Sequence, residues 1–194
     1  GAIREYHATG TSRYLDIALN FWRPAADTCC TTYSMLELAR QLFRTDPGDA
    51  RYFDYYSTAL HHYLRGAGSC SSGDFTCCHG TAMEISTKHA DSIYFHAVNT
   101  LYVNLFIPSV LTWPGRGISI RQDTTYPNSQ STRLTVTGSG HIALKIRVPK
   151  WTSGAVVRVN GAAQGTPTPG TYLTIDRTWA TGDVVEVSVP ATLS

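Results

Sequence analysis

Cysteine is the residue type in this sequence with the most evident chemistry. Two pairs of adjacent cysteines, Cys29-Cys30 and Cys77-Cys78, are separated by 48 positions, and Cys70 is the fifth cysteine. Neighbouring cysteines bridge each other only through a strained ring, because a disulfide normally joins Cα atoms farther apart than consecutive ones. Four thiolates brought together by the fold would suit a soft metal ion such as zinc. Buried thiols and a disulfide are an equally weighted alternative, since no CxxC or HxxxH spacing accompanies the pairs.

Composition narrows the class of protein. The chain has 194 residues, a formal charge of +2, 42% hydrophobic and 11% aromatic residues, which favours a folded core over disorder. Its basic residues are scattered, so no nucleic-acid partner is expected. No apolar stretch is long enough to span a membrane, and Gly1–Glu5 lack the features of a signal peptide. Cytoplasmic and exported locations both stay open.

The pattern of apolar residues changes once along the chain. From Ser12 to His89 it is helical, with one helix ending near Trp22, a second over Met35–Phe43 and a third over Tyr52–Leu64, preceded by an Asp46-Pro47 N-cap. From Asp91 onward the period is two, beginning with a hairpin. The predicted strands are Ser92–Phe95, Leu101–Phe106, Ile118–Asp123, Arg133–Thr137, Ile142–Val148, Val156–Val159, Tyr172–Ile175 and Val184–Val189.

These elements predict an α+β protein with two parts, a helical part over residues 1–90 and an antiparallel β-sandwich over residues 91–194. Three or four helices in about 90 residues are too few to close a helical domain of any size. The helical part therefore has the character of a piece of a larger structure.

Three segments carry a resemblance to a known family: Cys30–Phe43, Phe75–Glu84 with its Cys-Cys-x-Gly-Thr run, and Leu101–Pro108 with Tyr-Val-Asn-Leu-Phe-Ile-Pro. They resemble the β-L-arabinofuranosidases of glycoside hydrolase family 127 and their close relatives. The resemblance implies a C-terminal portion of such an enzyme with internal segments missing. It further implies helices of an (α/α)₆ barrel followed by a β-sandwich.

The resemblance also implies a zinc site of three cysteines and one glutamate, in which one zinc-bound cysteine is the nucleophile of a retaining glycosidase. By motif position Cys77 is that nucleophile and Cys78 a zinc ligand. A thiol is mostly protonated at neutral pH, and coordination to Zn²⁺ makes it the thiolate that a retaining mechanism needs.

Two departures from the family pattern affect the predicted site. The family has a glutamate two residues before the first ligand cysteine, and here Thr28 takes that place. We favour Cys30 as the ligand, with Asp27 supplying the carboxylate; Cys29 is the second choice, and an N-cap is the ordinary role of such an Asp. The acid/base glutamate of the family belongs to a segment that is absent, because only seven residues separate Trp22 from Cys30.

The predicted function is hydrolysis of β-L-arabinofuranosides, with an oligosaccharide or glycoside as partner and a homo-oligomer left open. The alternative is a non-catalytic, zinc-stabilised carbohydrate-binding or interaction module that kept the thiolates and lost the acid. A third reading, a disulfide-stapled sandwich without metal, needs Cys30 within bridging distance of Cys77 or Cys78. Cys70 is assigned no catalytic role, while His79 and Glu84 are weak candidates for a sugar contact and a substitute acid.

Overall fold

The computed structural model describes residues 1–22, 29–62 and 89–191. The chain divides into two compact units, Gly1–Ala90 and Asp91–Ser194. Helices make up the first unit and strands the second, so the α+β class predicted from the sequence is confirmed. None of the helices in the described ranges has the length and apolarity that crossing a membrane requires.

The described part of the first unit contains four α-helices. They are α1 (Ala2–Thr9), α2 (Ser12–Phe21), α3 (Cys29–Thr45) and α4 (Arg51–His62), and a 3₁₀ turn covers His89–Ser92. The sequence pattern does not predict α1, because Ile3 is its one buried side chain and the helix lacks an apolar stripe. It ends at Gly10, whose left-handed φ of 69° lets its N–H bond back to the carbonyl of Tyr6.

Helices α3 and α4 pack together through aromatic and aliphatic side chains. The rings of Phe43 and Phe53 are both fully buried and meet edge to face, with 4.8 Å between their centroids. Burial of two phenylalanines contributes roughly 2–3 kcal/mol each relative to exposure. This packing anchors α3, the helix whose first two residues are Cys29 and Cys30.

The start of α4 differs from the sequence expectation. The Asp46-Pro47 pair forms a turn, and α4 begins at Arg51, so the predicted N-cap at Asp46 is wrong. Asp49 is the residue whose carboxylate accepts the backbone N–H of Arg51, at 3.0 Å. Burial alone would raise the pKa of Asp49, but hydrogen bonds from the side chain and backbone of Arg51 outweigh it and lower that pKa. The last two residues of the predicted helix, Tyr63 and Leu64, lie outside the described residues.

The described part of the second unit, residues 91–191, contains ten strands in two sheets and a 3₁₀ turn at Pro114–Arg116. A four-stranded sheet has the order β1-β2-β6-β9, and a six-stranded sheet has the order β3-β4-β5-β10-β7-β8. The strands are β1 (Tyr94–His96), β2 (Thr100–Val103), β3 (Ser109–Trp113), β4 (Ile118–Thr124), β5 (Ser131–Gly138), β6 (Gly140–Val148), β7 (Val156–Val159), β8 (Ala162–Ala163), β9 (Thr171–Trp179) and β10 (Val184–Ser188).

One pairing departs from the predicted antiparallel arrangement. Strands β1 and β2 form the expected hairpin, but β2 pairs with β6 in parallel, with Leu101 opposite Leu144. A parallel neighbour requires a long crossover, and the segment between β2 and β6 supplies it by passing through three strands of the other sheet. Strands β3 and β8 were not predicted: β3 alternates only weakly and β8 has two exposed alanines.

Alternating side chains of both sheets form one apolar cluster. On β6, for example, Ile142, Leu144 and Ile146 are all fully buried, as the period of two requires. The same cluster contains Ile120 and Leu134 from the six-stranded sheet. The buried face of each sheet therefore carries the hydrophobic stabilisation. The opposite face of the six-stranded sheet is exposed and includes Val110 and Val156 besides polar side chains.

Candidate functional site

The predicted metal ligands fall almost entirely outside the described residues. Asp27, Cys77 and Cys78 lie outside them, as do the weaker candidates Cys70, His79 and Glu84. For Cys30 the backbone is described and lies in the first turn of α3, but the side chain is not described. The expectation that these residues meet around one metal thus stays a prediction.

The position of the cysteine pair on α3 has a chemical consequence. Cys29 and Cys30 are the first two residues of a 17-residue helix. The first turn of a helix has unpaired N–H groups and the positive end of the helix dipole, which stabilise an anion. The backbone position of the pair is therefore compatible with an anionic ligand, and the role of either cysteine as a metal ligand stays a prediction.

A groove of about 560 Å³ lies between the first three helices. Its apolar wall includes Ile17 and Leu38, together with Phe21, whose side chain is 74% exposed. Its polar wall contains Glu37, whose carboxylate accepts a hydrogen bond from the Gln41 amide at 2.7 Å. The volume of this groove is in the range of small-molecule sites. None of the described residues that line it is a predicted nucleophile.

Within residues 1–22, 29–62 and 89–191, no group of three or more His, Cys, Asp or Glu side chains is placed to hold a metal ion. The predicted donors are three thiols and a carboxylate, a set whose chemistry suits zinc. Because those side chains are not among the described ones, this finding leaves the zinc prediction untested.

A buried polar network surrounds Asn104 in the Leu101–Pro108 motif of the second unit. Asn104 is fully buried, its side-chain carbonyl accepts the hydroxyl of Tyr172 at 2.5 Å, and its backbone carbonyl accepts Nε of Arg147 at 2.7 Å. The guanidinium of Arg147 also lies over the ring of Phe106, 5.8 Å from its centroid. These contacts connect the segment after β2 with β6 and β9.

This network was not predicted, although the sequence contains one indication of it. Asn104 is the one polar residue in the apolar run Leu101–Phe106, and a polar side chain buried in such a run needs hydrogen-bond partners. Its Nδ2 has no partner among the described residues, and neither does Oγ of the fully buried Ser92. The burial of Arg147 could not be predicted from the sequence, because the alternation along β6 assigns its position to the outer face.

A second buried network centres on Tyr94. Its hydroxyl donates to Oε1 of Gln122 at 3.1 Å and lies 3.0 Å from the hydroxyl of Ser109, and the Gln122 amide donates to the carbonyl of Leu105. Burial raises the pKa of Tyr94 above its usual 10.0, and the hydrogen bond with Ser109 opposes this in part. The hydroxyl is therefore protonated at neutral pH and acts as a hydrogen-bond donor between the two sheets.

Helices followed by two sheets rich in antiparallel pairs define this chain as an α+β protein. The fold has solved counterparts. Ara127N-Se, a GH127 β-L-arabinofuranosidase from Geobacillus stearothermophilus T6, superimposes with a TM-score of 0.73 at 24% identity, covering 87% of this chain and 32% of that one. A GH127 β-arabinofuranosidase superimposes with a TM-score of 0.70 at 25% identity, covering 84% and 32%.

A family model gives the more specific result. Residues 100–191 match the β-L-arabinofuranosidase GH127 middle domain. A comparison with curated proteins finds no match. This match covers just under half of the chain, and together with the structural neighbours it confirms the resemblance to this family. The chain spans about a third of the length of those structures.

Proposed function

We propose that this chain is part of a retaining glycoside hydrolase that acts on β-L-arabinofuranosides through a zinc-bound cysteine. The observation that carries the proposal is the match of residues 100–191 to the GH127 middle domain. In this proposal Cys77 is the nucleophile, and Asp27, Cys30, Cys77 and Cys78 hold Zn²⁺.

The chemistry requires an anionic sulfur at the anomeric carbon. When bound, zinc would keep its cysteine ligands deprotonated at neutral pH. The Cys77 thiolate would attack the anomeric carbon, the bond to the leaving group would break, and water would later release the sugar with net retention. The leaving oxygen must receive a proton from an acid on the opposite side, and no described residue is assigned that role.

The start of α3 supports the assignment of Cys30. A ligand in the first turn of a helix is held by a regular backbone, and the helix itself is anchored by the buried Phe43–Phe53 contact. The helix dipole stabilises the negative charge that a thiolate ligand brings. Cys29, one residue earlier, shares that first turn and remains the second choice.

We also propose that residues 1–90 belong to an (α/α)₆ barrel and that residues 91–194 form a β-sandwich. The apolar cluster shared by the two sheets supports the sandwich, since facing sheets bury their inner side chains against each other. The helix pairs α1–α2 and α3–α4, each joined by a short connection or packed side by side, suit the repeating hairpins of a helical barrel.

The alternative is a non-catalytic, zinc-stabilised module that binds carbohydrate. The observation in its favour is that only seven residues separate Trp22 from Cys30 and none of them is a glutamate. A protein that kept the thiolates without the acid would bind metal and sugar but would not hydrolyse the glycosidic bond.

Metal analysis and an activity assay separate these readings. We expect about one zinc per chain, lost or weakened at least tenfold in Cys77→Ser and retained in the matched control Cys70→Ser. Hydrolysis of an aryl β-L-arabinofuranoside that disappears in Cys77→Ser would support the glycosidase. Zinc without hydrolysis would favour the binding module. A full count of free thiols with no zinc would refute both readings.

A further inference from the structure

The hairpin between β7 and β8 turns on Asn160 and Gly161. Strand β7 ends at Val159, β8 begins at Ala162, and these two residues are paired across the turn. The backbone φ is 50° at Asn160 and 84° at Gly161, as the type I′ turn of a two-residue hairpin requires. Asparagine and glycine adopt this left-handed conformation at a lower cost than other residues, so the local sequence agrees with the turn.

Asn-Gly is also a chemically reactive pair. The backbone nitrogen that follows an asparagine attacks the side-chain amide carbon when the two approach, and glycine leaves this nitrogen uncovered because it has no side chain. Of the five asparagines in the chain, Asn160 alone is followed by glycine. Both residues of the turn are exposed, and an added Cβ at Gly161 would meet no described atom of the rest of the chain within 4 Å. Sequence and exposure thus single out one position for deamidation.

The fold holds both ends of the Asn160 side-chain amide. Its Nδ2 donates to Oδ1 of Asp183 at 2.7 Å, and its Oδ1 accepts the backbone N–H of Val184 at 2.9 Å. The backbone N–H of Asn160 also donates to the carbonyl of Val184, at 2.9 Å. These contacts join the turn to the start of β10, so the amide is not free to rotate.

Asp183 is itself fixed in the position from which it holds the amide. Its second carboxylate oxygen accepts the backbone N–H of Ala180 at 2.9 Å, and its own backbone N–H donates to the carbonyl of Ala180 at 3.1 Å. Hydrogen bonds from the Asn160 side chain and the Ala180 backbone lower the pKa of Asp183, so its carboxylate is ionised at neutral pH. An ionised acceptor makes the stronger kind of hydrogen bond, and its loss should therefore be measurable.

We propose that Asn160 is a deamidation site whose reaction rate is controlled by Asp183. While both ends of the amide are held, its carbon cannot turn toward the nitrogen of Gly161, so the reaction proceeds only after local opening of the turn. That nitrogen then bonds to Cγ of Asn160 and gives up its proton, and the amide nitrogen leaves with the proton as ammonia. Water opens the resulting succinimide at one of its two carbonyls, which yields aspartate or isoaspartate without a change of oxidation state.

The product does not fit the contacts that the asparagine makes. An aspartate places an oxygen where Nδ2 of Asn160 now donates, and two carboxylates at hydrogen-bond distance repel each other. An isoaspartate adds one atom to the backbone of a two-residue turn whose length sets the pairing register. The strands affected are β8, β7 and β10, which are consecutive at one edge of the six-stranded sheet. Modification therefore weakens this edge of the sheet.

Peptide mapping by mass spectrometry measures the reaction on the whole chain in mildly alkaline buffer. The folded wild type should deamidate at position 160 at least about tenfold more slowly than the same chain in urea, and folded Asp183→Ala should react about tenfold faster than the folded wild type. In urea the two proteins should react alike, because the contact is absent from both. Equal rates in the two folded proteins would overturn the proposal, as would a folded wild type that reacts as fast as the unfolded chain.

Three further variants separate the local contact from general stability. Asp183→Asn keeps an oxygen that accepts a hydrogen bond, so its rate should lie between those of the wild type and Asp183→Ala; this variant tests the contact even if the alanine variant does not fold. Tyr172→Phe weakens a network of the other sheet and should leave the rate unchanged. A rise equal to that of Asp183→Ala would show that the reaction follows global unfolding, and it would overturn the role of Asp183. Asp176→Ala removes an exposed carboxylate on β9 and should react as the wild type does.

Discussion

Replacement of Trp179 by phenylalanine is the sharpest stability test that the structure offers. Trp179 on β9 is fully buried, and its indole N–H donates to the carbonyl of Ile142 on β6 at 3.0 Å. The guanidinium of Arg177 also lies over its ring, 5.1 Å from the ring centroid. The substitution Trp179→Phe keeps an aromatic ring while it removes the donor and half of the indole.

Two costs add in this variant. The carbonyl of Ile142 loses a partner in a water-free environment, which costs about 1–3 kcal/mol. The space left by the smaller ring costs roughly another 1–2 kcal/mol, depending on how far the neighbours relax. We therefore expect a loss of about 2–5 kcal/mol in the free energy of unfolding, a large part of the 5–15 kcal/mol typical of a domain.

Urea unfolding followed by far-ultraviolet circular dichroism measures this loss. The matched control is Trp151→Phe, in which the same atoms are removed from a side chain that is 37% exposed and stacks on Tyr126 at a centroid distance of 6.4 Å. The control should lose less than about 1 kcal/mol. Equal losses in the two variants, or a loss below about 1 kcal/mol for Trp179→Phe, would refute the assignment of Trp179 to the core.

Three further perturbations test the networks and one turn. Tyr172→Phe leaves the buried Asn104 side chain with no partner among the described residues and should cost about 1–3 kcal/mol of unfolding free energy by urea titration; no loss would contradict the network. Because burial raises the folded-state pKa of Tyr94 above the unfolded value near 10.0, its stabilisation is complete below that pH and is lost as the pH rises through the folded pKa. Thermal melts of Tyr94→Phe should show a smaller decline above pH 10 than the wild type, and identical declines would contradict this reasoning. Gly138→Ala should destabilise more than Gly182→Ala although both have φ of 94°, because only at Gly138 would a Cβ meet a backbone carbonyl at 1.9 Å; equal melting temperatures would refute the clash.

Much of the secondary structure was predictable from local patterns. The strands β4, β5, β7 and β10 alternate between buried and more exposed residues, and each lies close to its predicted position. This alternation can be recognised in the sequence because one face of each strand is buried and the other is not. The strand β3 alternates between exposed and half-buried positions, so its pattern is weak and it was missed.

The candidate site was likewise predictable from the sequence only in part. Residue type and spacing were enough to single out the cysteine pairs and to suggest zinc. The family model covers Leu101–Pro108, one of the three segments on which the resemblance rests, and neither cysteine pair. The apolar pattern marked this helix only from Met35, while the resemblance placed its start near Cys30, and the structure begins α3 at Cys29. The zinc site and the role of Cys77 remain predictions.

The sequence by itself determined the class, the order of helices before strands and the residues with the chemistry of a metal ligand. These properties depend on neighbours along the chain: a helix or strand pattern repeats within a few residues, and a thiol is soft wherever it lies. Only the tertiary structure decided the parallel pairing of β2 with β6 and the burial of Arg147. Each of these depends on which distant strands become neighbours and in what register, and that choice is made by packing of the whole core rather than by any local segment.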